Sequence, residues 1–170
     1  MTMSPPLPPS PSSATSTHVS SKPWSAERPE SLLVCCSDGR YHTHLEEFAQ
    51  QRVSERPDVF AIPGGPAAID AWASSFDHAR VFAESFELLF VSHDLRSIWL
   101  VAHEGCSYYR RKHPGLGAAA LNRKQFDDLR RARDWIHERR PALDVHLIHA
   151  RVDGARVLFD EVGSEPPRSS

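Results

Sequence analysis

A chain of 170 residues with a formal net charge of −2 has room for one domain with a substantial core, and no electrostatic case for a nucleic-acid partner. Its hydrophobic fraction of 40% is ordinary, no apolar run approaches the ~20 residues that span a bilayer, and the N-terminus lacks the basic start and apolar stretch of a secretory signal. The expectation is a cytoplasmic protein without a membrane partner, whose three cysteines stay reduced and favour a metal site over a disulfide.

Residues 1–28 are dominated by Pro, Ser and Thr and have almost nothing to bury. They are expected to form a disordered tail, as are residues 163–170, which leaves a folded domain over 29–162. Leu32 to Cys36 is a short apolar run that predicts a central strand covered on both faces. Neighbouring side chains of a strand point to opposite faces, so at most one of Cys35 and Cys36 serves a common site. The run breaks off into Ser37-Asp38-Gly39-Arg40, a polar cluster at a strand's carboxyl end, where open α/β sheets place their ligands.

Thr43 with Glu46 forms a capping-box pattern, and Leu45, Phe48, Ala49 and Val53 follow at helical spacing up to a stop near Arg56-Pro57. Asp58 to Ile62 reads as the second strand. It closes in Pro63-Gly64-Gly65-Pro66, a turn whose bare amides at Gly64 and Gly65 are candidates to face a substrate. Asp77 is placed to cap a helix carrying Val81, Phe82, Phe86, Leu89 and Phe90, up to about Ser92.

Ile98 to Ala102 is the third strand and runs into His103-Glu104-Gly105-Cys106. A long helix is expected from about Gly117 to Arg140, with Leu121, Phe126, Leu129, Ala132 and Ile136 inward and its arginines on a solvated face, paired in places with Asp127, Asp128, Asp134 and Glu138. Val145 to Ala150 and Ala155 to Phe159, joined through Asp153-Gly154, predict a hairpin. The alternation of strands and helices predicts an α/β fold: a mainly parallel central sheet flanked by helices, with an antiparallel C-terminal edge hairpin.

Two buried strands thus end in Cys36 on one side and in His103 and Cys106 on the other. If the strands are neighbours, three soft ligands converge on one ion, and thiolate and imidazole are the donors zinc prefers. Three protein ligands leave one tetrahedral position for water or substrate. Competing motifs fail. Cys35 and Cys36 both stand too close to Arg40 for the Cys-x5-Arg loop of a phosphatase, and Ser107 occupies the position where a zincin helix would need a second histidine after His103-Glu104. Gly115-x-Gly117-x-x-Ala120 follows Arg110-Arg111-Lys112-His113-Pro114 instead of a strand, and so reads as a helix start. His146 and His149 read as strand side chains without a role.

Cys36-x-Asp38-x-Arg40 followed by His103-x-x-Cys106, in this strand and helix order, resembles the β-class carbonic anhydrases. The resemblance implies one zinc ion per chain on Cys36, His103 and Cys106, and a catalytic dyad of Asp38 and Arg40. It further implies reversible hydration of CO2 to bicarbonate by zinc-bound hydroxide, and subunits that pair as homodimers or larger even assemblies. Three departures stand out. Ser107 follows Cys106 where relatives carry glycine, Ile62-Pro63-Gly64-Gly65-Pro66 stands in place of an Arg-Asn-Ala-Gly-like turn, and no glutamine precedes Cys36. These changes keep two alternatives in view: a zinc hydrolase of another small electrophile such as COS or CS2, or a non-catalytic, zinc-stabilised dimeric module.

Overall fold

The computed structural model describes residues 17–54, 56–69 and 76–163, with side chains from residue 80 onward in the last stretch. Parts of both expected tails, residues 1–16 and 164–170, lie outside the described residues, and so does the side chain of Asp77. Residues 17–30 carry no regular element. Among the described residues no helix is long and apolar enough to cross a membrane.

Five strands form one sheet in the order β2-β1-β3-β4-β5: β1 (Ser31–Cys35), β2 (Asp58–Ala61), β3 (Ser97–His103), β4 (Asp144–Asp153) and β5 (Arg156–Glu161). The first four run parallel, and β5 returns antiparallel to β4. This is the predicted architecture, and its decisive feature is that β1 and β3 are neighbours, paired from Ser31 with Ser97 to Val34 with Leu100. The two polar strand ends noted in the sequence therefore emerge side by side.

Alternation along the central strands builds two apolar layers. On one face Leu32, Val34, Ile98, Leu100 and Leu147 meet α2 (Phe76–His93) and α4 (Ala118–Arg139) through Phe82, Phe86, Leu129, Ala132 and Ile136. On the other, Leu33, Cys35, Val101 and Ile148 meet α1 (Gly39–Phe48) through Tyr41 and Leu45. Each side chain fully withdrawn from water in these layers contributes on the order of 1.5–3 kcal/mol of burial. Cys35 belongs to the second layer, while Cys36 joins a small cluster with Ala67, Cys106, Tyr109 and Leu121.

Several local expectations are corrected. Helix α1 begins at Gly39, four residues before Thr43, because the Asp38 carboxylate accepts the Arg40 amide and caps the helix there. It ends at Phe48 and relaxes into a π-type turn over Ala49–Val53, short of Pro57. The segment after Cys106 forms a short helix, α3 (Ser107–Lys112), which is absent from the predicted elements. On α4, Asp128 is buried at 2% exposure rather than solvated, and Gln125 at 1% is deeper than the expected Phe126.

The Gly64-Gly65 turn is fixed by space as well as by angle. Gly65 has φ +54, and a Cβ there would sit 2.8 Å from the Cys35 carbonyl carbon. That contact is with backbone and cannot yield cheaply. Gly65→Ala is expected to cost about 2–4 kcal/mol, from the left-handed conformation plus displacement of the β1 end. Urea denaturation of the variant against the parent chain measures it, and an unchanged midpoint would contradict this packing.

Candidate metal centre

The site stands at the carboxyl ends of β1 and β3. Among the described residues, the cysteine, histidine and acidic side chains placed to hold a metal ion are Cys36, His103 and Cys106, whose ligand atoms all lie within 4.8 Å of one another. All three are buried, at 7%, 3% and 3% exposure. Cys36 is the first residue beyond β1, His103 is the last of β3, and Cys106 caps the start of α3 after a turn through Gly105 at φ +67.

The imidazole orientation is determined. Its Nδ1–H donates to the Glu104 carbonyl at 2.9 Å, a carbonyl that also accepts the Tyr41 hydroxyl at 2.9 Å, and the Tyr41 ring lies 4.2 Å from the His103 ring. This leaves Nε2 as the lone-pair nitrogen, and Nε2 is buried without a hydrogen-bond partner. A buried, unsatisfied acceptor is costly unless something occupies the space before it. The two sulfurs provide the rest of that space, with Cys36 Sγ 3.9 Å from Cys106 Sγ.

The two thiols are hydrogen-bond partners of each other. The Cys106 thiol and the Gly64 amide favour the Cys36 thiolate, so its pKa falls even though burial opposes ionisation. The Cys106 pKa is pushed upward, first by the Cys36 sulfur it hydrogen-bonds and then by burial. Removing the last proton would leave two anions at contact distance inside the protein, an arrangement that only a cation can compensate. The donor set therefore fits a metal ion.

Asp38 and Arg40 lie at the rim. Arg40 Nε and Nη2 donate to Asp38 Oδ1 and Oδ2 at 2.9 and 2.5 Å, and this pairing lowers the Asp38 pKa to about 2. Asp38 Oδ2 stands 4.0 Å from His103 Nε2, beside the ligand group without joining it. The Asp38 side chain is 17% exposed and that of Arg40 63% exposed, so solvent reaches the pair from outside.

Gly64 and Gly65, read from the sequence as substrate-facing, stand against Cys36: Gly64 helps to lower the Cys36 pKa, and Gly65 packs on the backbone at the Cys36 amide. A Cβ on Gly64 would fall 2.6 Å from the Tyr108 ring, so Tyr108 covers this turn. Sequence reasoning missed Tyr41, Gln125 and His149, which hold the ligand loop. A polar residue at helical spacing between Leu121 and Leu129 was the available sign of Gln125.

No protein-family model matches the sequence, and no curated protein matches it. Solved structures do. The carbonic anhydrase of Streptococcus mutans is 14% identical over 81% of this chain and 83% of its own, with a TM-score of 0.53. The β-carbonic anhydrase isoform I of Trichomonas vaginalis is 14% identical over 83% of this chain and 87% of its own, with a TM-score of 0.50. For the β-carbonic anhydrase CafA of Aspergillus fumigatus the values are 13%, 81%, 78% and 0.50. The fold is that of the β-carbonic anhydrases. At such low identity the likeness speaks for the backbone arrangement, and the chemistry has to be argued from the residues at the strand ends.

Proposed function

We propose that the protein is a zinc-dependent enzyme interconverting CO2 and bicarbonate, acting as a homodimer or larger even assembly. The observation that carries the reading is the convergence of Cys36 Sγ, His103 Nε2 and Cys106 Sγ beside an ionised Asp38. Two sulfurs held at about 2.3 Å by one tetrahedral zinc stand about 3.8 Å apart. The 3.9 Å separation seen here is compatible with that without rearrangement.

Cys36, His103 and Cys106 would hold the ion and leave a fourth position open. When bound there, zinc supplies a Lewis acid that makes a water more acidic and more nucleophilic. The protein's own part falls to the dyad. Asp38, kept ionised by Arg40, is an acceptor only, and its Oδ2 would take the hydrogen bond of the reacting water and turn a lone pair toward the CO2 carbon. Attack forms one C–O bond and moves one C=O electron pair onto oxygen, and bicarbonate remains after one proton passes to solvent. The Arg40 fork engages both carboxylate oxygens and would keep Asp38 from becoming a ligand itself.

Stopped-flow CO2 hydration on the full chain holding one zinc per chain tests the proposal, with COS hydrolysis measured on the same preparation. A CO2 rate well above buffer that vanishes on chelation is expected. A buffer-level CO2 rate alongside COS turnover would move the assignment to the second electrophile.

Zinc affinity should also depend on pH. The Cys106 thiol has a raised pKa and is protonated at neutral pH, so binding must displace its proton. The affinity is expected to rise by about tenfold per pH unit between about pH 7 and 8.5 for one displaced proton. Competition against a chromophoric chelator at several pH values measures it, and a flat profile would place the ion elsewhere.

A further inference from the structure

We infer that Gln125 and His149 are a positioning pair that sets the geometry of His103 as a metal ligand. This inference rests on the zinc reading above. Gln125 lies in the middle of α4 on its apolar face at 1% exposure, and His149 on β4 at 4%. A primary amide buried so deeply is costly unless it is paired. Both ends of this one are used: Gln125 Nε2 donates to the His103 carbonyl at 2.8 Å, and Oε1 meets His149 Nε2 at 2.8 Å.

The direction of every bond in this chain follows from one fact. The His103 carbonyl can only accept, so the Gln125 NH2 must face it and Oε1 must face His149. His149 Nε2 must then carry the hydrogen. Burial, which lowers the His149 pKa, keeps the ring neutral, and the Phe126 ring stands edge-on to it at 5.0 Å. Three elements are thus tied together at one peptide: β4 through His149, α4 through Gln125, and β3 through its last residue.

That peptide joins His103 to Glu104. While Glu104 N still donates to the Ala150 carbonyl at 2.8 Å, the His103 carbonyl is taken by α4. Its plane is therefore held from both sides, by the sheet and by the helix. The ligand ring hangs from the same unit, since Nδ1 is bonded to the Glu104 carbonyl. Turning the His103 carbonyl would swing Nε2 away from the two sulfurs. Gln125 thus acts on the metal through the main chain of its ligand, as an outer support.

The test uses the full chain with Gln125→Met, His149→Phe and His149→Gln, read out by zinc affinity, by the visible spectrum of the Co2+ form and by urea stability of the metal-free protein. Gln125→Met is expected to weaken zinc by ~10- to 100-fold and to shift the Co2+ bands. His149→Phe should move both in the same direction, and His149→Gln, which keeps a donor for Oε1, should restore them. Adding His149→Phe to Gln125→Met should change affinity no further. Lowered metal-free stability with unchanged affinity and Co2+ bands would make the pair structural only and overturn the inference. If Gln125→Met does not fold, a folded His149→Phe with parental affinity overturns it equally. Failure of the zinc reading looks different: the parental chain would then show no thiolate-to-cobalt charge-transfer band, and both claims would fall.

Discussion

Asp38→Asn is expected to cut CO2 hydration by ~10²- to 10⁴-fold while zinc stays at one per chain, because an ionised acceptor is replaced by a neutral amide of the same shape. Asparagine suits the test. Asp38 is both the rim carboxylate and the N-cap of α1, and asparagine caps a helix as well as aspartate does, so α1 should remain in place. Zinc content and thermal stability measured beside the rate separate a chemical defect from a folding one. An Asn variant with the parental rate would remove Asp38 from the reaction.

The pH behaviour of Asp38 sharpens this. Its pKa is depressed to about 2, with the Arg40 side chain as the first cause, so it is ionised above that value and protonates only below it. Whatever stability the pair contributes is present above the ordinary Asp pKa of ~3.9 and is lost as pH falls toward 2. A change in rate near neutral pH therefore belongs to another group.

Cys106→Ser is expected to abolish tight zinc binding. Serine offers an oxygen that stays protonated, and the remaining thiolate and imidazole cannot fill a tetrahedral site. In the parental chain, free zinc at a thousand times its dissociation constant adds about 4 kcal/mol of stability, which corresponds to a rise of roughly 8–16 °C in Tm for a domain of this size. The variant should show no such rise. Thermal melts with and without zinc measure it, and an equal rise in both proteins would refute Cys106 as a ligand.

Much of this centre was legible in the sequence because it lies at the ends of strands. Short apolar runs that break into Cys36-x-Asp38-x-Arg40 and His103-x-x-Cys106 mark both the sheet and the corner where polar groups collect. Less legible was everything that depends on a long-range hydrogen bond. Thr43 with Glu46 is a sound capping pattern, yet Asp38 wins because its carboxylate reaches the Arg40 amide and caps the helix five residues before Thr43. Gln125 and His149 look unremarkable in sequence because neither is adjacent to a ligand; only the packing of α4 on β3 and β4 brings Gln125 to the His103 carbonyl and His149 to Gln125. Asp128 was misplaced for a similar reason, since its partners Tyr109 and Lys124 bury it from two different helices.

X-ray absorption at the zinc edge of the loaded chain tests whether Cys36, His103 and Cys106 hold zinc with one position open. Two sulfur scatterers at about 2.3 Å and two nitrogen or oxygen scatterers at about 2.0–2.1 Å are expected. A shell of nitrogen and oxygen alone would contradict that ligand set.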